Sequence, residues 1–174
     1  DRAIALATGE GPELRAAAQA FAQAVLAGEL ADRPWTAFLD RARRLGDAAQ
    51  QLVEEHAARE AETLPQRERK RAEREAGDAA KRAGRRARTQ ALEEGLRLTG
   101  LWLRDLAVVL DGAPDLVHNT DRIDALRAGA QGADVHALRR AVALVDDTRA
   151  SLALNPTEEL QLDALAVRLA RELA

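Results

Sequence analysis

Few residues of this 174-residue chain have the types and spacing that chemistry requires. Its three histidines, His56, His118 and His136, lie far apart in sequence. A metal site would need them gathered with carboxylates, so they read as surface or loop residues. Adjacent carboxylates occur at Glu54-Glu55, Glu93-Glu94, Asp146-Asp147 and Glu158-Glu159. General acid–base catalysis needs two carboxylates in one cleft with unlike environments. Neighbours on a helix do not face each other, so these pairs read as solvated helix faces. Ser151 is the only serine, and no nucleophile-elbow motif surrounds it. The absence of cysteine excludes a thiolate nucleophile, a disulfide framework and a cysteine-ligated metal. There is no phosphate-cradling G-x-x-x-x-G-K-[ST], no G-x-G-x-x-G following a strand and no H-E-x-x-H. No catalytic, cofactor-binding, metal-binding or small-molecule site is therefore expected, and the chain reads as non-enzymatic.

One electrostatic feature remains. Residues 66–90 carry ten basic and four acidic side chains, a local charge of +6 within a chain of net charge -3. Arginine offers a bidentate fork to phosphates, so Arg82, Arg85, Arg86 and Arg88 are the candidates for a nucleic-acid patch. No aromatic residue interleaves with them, which leaves base stacking unsupported. The competing interpretation is a solvated helix held by its own pairs, such as Glu68 with Lys70 or Arg71 and Asp78 with Lys81 or Arg82. Trp35 and Trp102, at a helix start and within an apolar helix, read as packing residues.

The elements that must position these residues are helical. Alanine accounts for 40 residues and leucine for 26, while 24 of the 26 basic residues are arginine. Nine valines, two isoleucines and four aromatic residues are too few for a sheet. Apolar residues recur at helical spacing over 13–27, with Gly28 as a stop. The next helix is expected to be capped by Asp32, with Pro34 in its first turn, and to bury Trp35, Phe38, Leu45, Ala49 and Leu52. Residues 54–62 are acidic and polar. From Gln66 to about Asp111 no proline intervenes, which predicts one long helix or two, with Gly77, Gly84, Gly95 and Gly100 as weak points. Its first half carries a thin stripe of Ala72, Ala76, Ala79, Ala83 and Ala87 and is expected to project as a charged arm. Its second half, with Leu96, Leu103, Leu106 and Leu110, belongs to the core. A short helix is predicted over 121–128 with Gly129 as its stop. Another starts at Asp134 and buries Val135, Leu138, Val142, Val145 and Leu152. Asn155-Pro156-Thr157-Glu158 is a start signal for a last helix burying Leu162, Leu165, Leu169 and Leu173. On that helix Leu160, Ala164 and Val167 fall on a second apolar side, which makes them the candidate subunit interface. The whole is an all-α bundle of about five to seven helices with a long charged helix or arm around 66–110. No apolar run approaches a membrane span.

From about residue 91 onward the sequence resembles the collar domain of the delta-prime subunit family of the bacterial DNA polymerase III clamp loader. Four segments carry the resemblance: residues 101–110, 117–126, 141–155 and 159–169. Within them, Arg104-Asp105, Asn119 with Asp121, and Leu154-Asn155 follow the family's order. The charged insertion at about 57–90 is similar to the actinobacterial form, in keeping with an arginine- and alanine-rich, lysine-poor composition. The resemblance implies a cytoplasmic, non-catalytic assembly domain over residues 10–174, following an upstream lid domain whose remnant is residues 1–9. It implies gamma/tau and delta subunits as partners through the collar, with DNA a weaker candidate. Gamma/tau and delta have related collars and are the alternative assignments. The family's serine-arginine-cysteine motif and zinc module are absent from this cysteine-free chain. No catalytic residue is therefore carried over.

Overall fold

The computed structural model describes residues 10–152, 154 and 157–174. Residues 1–9 and the Asn155-Pro156 start signal lie outside them. Among the described residues every regular element is helical. Helix α1 is Glu10–Ala27, α2 is Thr36–Ala61 and α3 is Gln66–Leu110. Two short 3-10 turns, Pro114–Leu116 and Thr120–Arg122, lead into α4 (Ile123–Ala130), α5 (Val135–Leu152) and α6 (Glu158–Leu173). This is the all-α bundle that the composition requires. No helix among the described residues is long and apolar enough to cross a membrane.

The chain divides into two compact units, one containing the described residues up to Phe38 together with those from Glu93 onward, the other Leu39–Leu92. The first unit has a leucine core. Leu14, Ala18, Phe21 and Val25 repeat along α1 at helical spacing, and all are buried. They join Leu96, Leu103 and Leu106 of α3, Leu126 of α4, Leu138, Val145 and Leu152 of α5, and Leu162, Leu165 and Leu169 of α6 in the core. Fully buried Ala22, Ala141 and Ala166 leave room for neighbouring backbones. Helix α6 packs against both α5 and α1. Phe21 meets Trp35 and Phe38 edge-on, with ring centroids 6.1 and 5.8 Å apart. Trp102 is buried as well.

Several boundaries differ from the sequence expectation. Helix α2 starts at Thr36, whose N–H and hydroxyl both bond the Arg33 carbonyl, and Arg33 itself takes φ +46°. Asp32 thus precedes the start by too far to cap it. Helix α4 continues through Gly129, and the left-handed residue that closes the turn is Gly132 (φ +78°). Gly129 is instead a close-approach site facing Leu106, 3.3 Å from where a Cβ would stand. Leu110 and Leu173 lie at the partly exposed edges of their helices. Asp134 does cap α5, accepting from the His136 N–H at 2.9 Å.

The second unit overturns the expectation of a lone charged arm. Helix α2 runs on through the acidic stretch to Ala61, and with the first part of α3 it forms a helical hairpin. Arg69 closes the turn by donating to the Leu64 and Glu62 carbonyls at 2.9 and 3.0 Å. The two helices meet at a glycine pair. A Cβ on Gly84 would lie 3.0 Å from the Gly46 carbonyl, and one on Gly46 would lie 2.6 Å from Arg88 Cγ. Towards the turn a cleft of about 640 Å³ opens between α2 and α3, lined by Val53, Ala57 and Leu64 on one side and Ala72, Ala76 and Ala79 on the other. The alanine stripe faces α2 here. Leu52, expected in the core, is 67% exposed.

None of the four glycines of α3 breaks it, and they are not equivalent. Gly77 has open space around its missing Cβ, whereas a Cβ on Gly95 would stand 2.8 Å from the Phe38 ring. Gly77→Ala should raise stability by about 0.5–1 kcal/mol through helix propensity. Gly95→Ala should lower it by about 1–3 kcal/mol through overpacking. Urea denaturation of the two variants checks both signs.

Candidate functional site

In the first unit the structure gathers Arg104, Asp105, Asn119 and Asp121; Asn155 lies outside the described residues. Asp105 sits on α3 one turn before the helix ends, and its side chain is fully buried. Its carboxylate accepts from the backbone N–H of His118 at 3.0 Å and of Asn119 at 2.9 Å. It also accepts from Asn119 Nδ2 at 2.8 Å and from Arg104 Nη1 at 3.1 Å. The other face of the Asn119 amide accepts from Arg15 Nη2 at 3.0 Å, and the same Arg15 nitrogen reaches Asp121 at 2.7 Å. Gln19, one turn along α1, accepts from Arg122 at 2.8 Å. Arg104, Asp105, Asn119 and Asp121 therefore form one polar knot joining α3, the 3-10 segment and α1. The knot is structural in kind, since each group is occupied by another protein group. Arg15 and Gln19 were not singled out by sequence reasoning. They lie over 100 positions from their partners and carry no local signal.

A second polar cluster sets the bearing of α6. Arg33 Nη2 donates to Glu159 at 2.9 Å and Asp163 at 2.8 Å, and its guanidinium lies 5.8 Å from the Trp35 ring centre. Trp35 Nε1 donates to Asp163 at 2.7 Å. Glu159 and Asp163 are one turn apart on α6, so a single guanidinium spans both. The opposite side of α6 carries Leu160, Ala164 and Val167, spaced by four and three. All three are exposed, Leu160 at 64% and Val167 at 42%. The helix thus has two apolar sides. One is buried against α5 and α1, while the other is exposed.

The basic candidates separate. Arg82, Arg85 and Arg86 are exposed on α3 and form no ion pair with a described residue. Arg88 does not belong with them. It turns to α2, where it lies over Gly46 and reaches Asp47 at 3.3 Å. Among the described residues none of the pairs expected for Glu68 and Asp78 forms; the pair that forms over 66–90 is Arg71–Glu75 at 2.8 Å. The histidines stay on separate elements. His56 is 3.5 Å from Glu60, His118 Nδ1 accepts from Arg104, and His136 is exposed. Among the described residues no group of three or more histidine, cysteine or carboxylate side chains is placed to hold a metal.

Comparison with family models, curated proteins and solved structures gives no match in any of the three.

Two outcomes follow for the knot. Asp105→Ala leaves the His118 and Asn119 N–H groups and the Asn119 amide without their acceptor and should destabilise the chain by about 1–3 kcal/mol. Asn119→Asp, nearly isosteric, turns an oxygen onto the Asp105 carboxylate and should also destabilise, whereas substitution of exposed Asp124 should be near neutral. Thermal denaturation separates the three.

The clamps also contribute to stability against acid. The hydrogen bond from Arg15 lowers the pKa of Asp121, and those from Arg33 and then Trp35 lower that of Asp163, each below the ordinary value of 3.8. A carboxylate depressed in the folded state contributes its stability above the unfolded pKa and loses it as pH falls through the folded one. Stability should therefore hold down to about pH 4 and fall below it. Asp163→Asn should flatten that fall, as read by denaturation midpoints between pH 5 and 2.

Proposed function

We propose that this chain is a non-catalytic subunit-assembly domain, the collar of a clamp-loader delta-prime subunit, acting in DNA replication in the cytoplasm. The observation that carries the reading is the second apolar side of α6. A surface helix normally needs one apolar stripe, because one side faces the core and the other water. Leu160, Ala164 and Val167 give α6 a second stripe opposite its buried one, on a helix fixed in bearing by Arg33 and Trp35. A helix held rigid with an apolar row outward is suited to packing against a helix of another subunit. The resembling segments supply the family, and the knot around Asp105 gives a physical reason for the residues they share. Gamma/tau and delta collars remain the alternative assignments within the same function.

The test mixes the chain with gamma/tau and delta collar domains and measures mass by sedimentation. A heteromeric complex is expected. Leu160→Asp with Val167→Asp should abolish it while leaving the helical spectrum and melting temperature of the isolated chain unchanged, since both positions are exposed. Failure of any heteromer to form, with both partners present, contradicts the assignment.

A further inference from the structure

The hairpin sorts its basic residues into two jobs. Arg69 and Arg88 are spent within the hairpin, one closing the turn and the other crossing to Asp47. Of the rest, all but Arg86 fall along one line. At 3.6 residues per turn, Arg67, Lys70, Arg74, Lys81, Arg82 and Arg85 lie within a sector of about 120°, and Ala72, Ala76 and Ala79 lie on the opposite side of the helix. The alanine side is turned to α2, which leaves the basic side outward, and all six basic residues are exposed. None forms an ion pair with a described residue. Arg71, in the same sector, is matched by Glu75, and Asp78 is the only acidic residue on the ridge itself. From Arg67 to Arg85 the ridge extends about 27 Å along the helix.

We propose that this ridge is a binding surface for double-helical nucleic acid, contacted through its phosphates. Six aligned cations with one carboxylate, Asp78, among them repel one another along a helix and weaken it, so a packed hairpin alone gives no reason for the alignment. A duplex presents one negative charge per roughly 1.7 Å of its axis, dense enough to engage every position of such a row. Most of the ridge is arginine, whose fork grips phosphate oxygens in pairs. No aromatic or aliphatic side chain lies in the sector, which removes both base stacking on a single strand and insertion into a membrane surface. The attraction is local, because the chain as a whole carries -3. Recognition without contacts to base edges is insensitive to sequence. The surface is independent of the assembly proposed for α6, and either can fail alone.

The experiment uses the whole chain and a fluorescent 20-base-pair duplex, with anisotropy read between 50 and 200 mM salt. Engagement of three or more phosphates predicts an affinity that falls roughly 50-fold across that range. Glutamine at Arg74, Lys81, Arg82 and Arg85 should weaken binding at 50 mM by at least about tenfold. Lysine at the three arginines should keep most of it, and circular dichroism should show all variants equally helical. Absence of binding at 50 mM, or binding untouched by the glutamine changes, overturns the proposal. So does displacement of the duplex by polyglutamate at equal charge concentration, which would make the ridge a site for acidic peptides.

Discussion

Asp105 is the constraint on which the first unit turns. A carboxylate removed from water is costly unless every lone pair is used. Here the oxygens accept from two consecutive backbone N–H groups, an asparagine amide and an arginine. The exchange is mutual, because the segment between α3 and α4 has little regular structure to satisfy its own amides. Asn119 then hands the connection on to Arg15 of α1. One buried acid thereby fixes where the chain turns after its longest helix and which side of α1 meets that turn. With the turn fixed, α4 can place Gly129 against Leu106, and the leucine core closes.

The same few residue types serve opposite ends in the two units. In the first, alanines at zero exposure are spacers among leucines, and the second polar cluster, Arg33 with Trp35 and Asp163, anchors α6 to the segment before α2. In the second, alanines form one side of a cleft and glycines bring two helices into backbone contact. Alanine buries little area, so the hairpin gains less from apolar burial than the leucine core does. Gly46 and Gly84 offset part of that by letting the helices approach closely.

Much of the fold was legible in the residues. The leucine period of α1, α5 and α6 names their buried sides, and Asp134 and Gly28 mark boundaries through capping and φ +71°. What stayed hidden has physical causes. The end of α2 presents charged and alanine residues rather than a leucine stripe, so its helical period is weak and residues 54–62 read only as acidic and polar. Gly129 and Gly132 are indistinguishable as stop signals until Leu106 is seen against the first. Among the arginines, Arg88 differs from Arg82 only in the side of α3 it occupies, which matters once α2 is known to lie there. Arg104, Asp105, Asn119 and Asp121 were legible as a resemblance but not as a knot, because the knot's third side comes from Arg15 on a distant helix. The outward side of α6 was readable from spacing alone, since Leu160, Ala164 and Val167 stand opposite Leu162, Leu165 and Leu169.

The most direct test of this architecture is native-state hydrogen exchange at two amides, those of His118 and Asn119. Both lie in a segment without α-helical hydrogen bonding, and an ordinary surface loop would exchange them by local opening. If the Asp105 carboxylate holds the bundle together, both should exchange only through global unfolding, with opening free energies equal to those of Leu103 and Leu106 in the core of α3. Exchange at the rate of a free loop would contradict it.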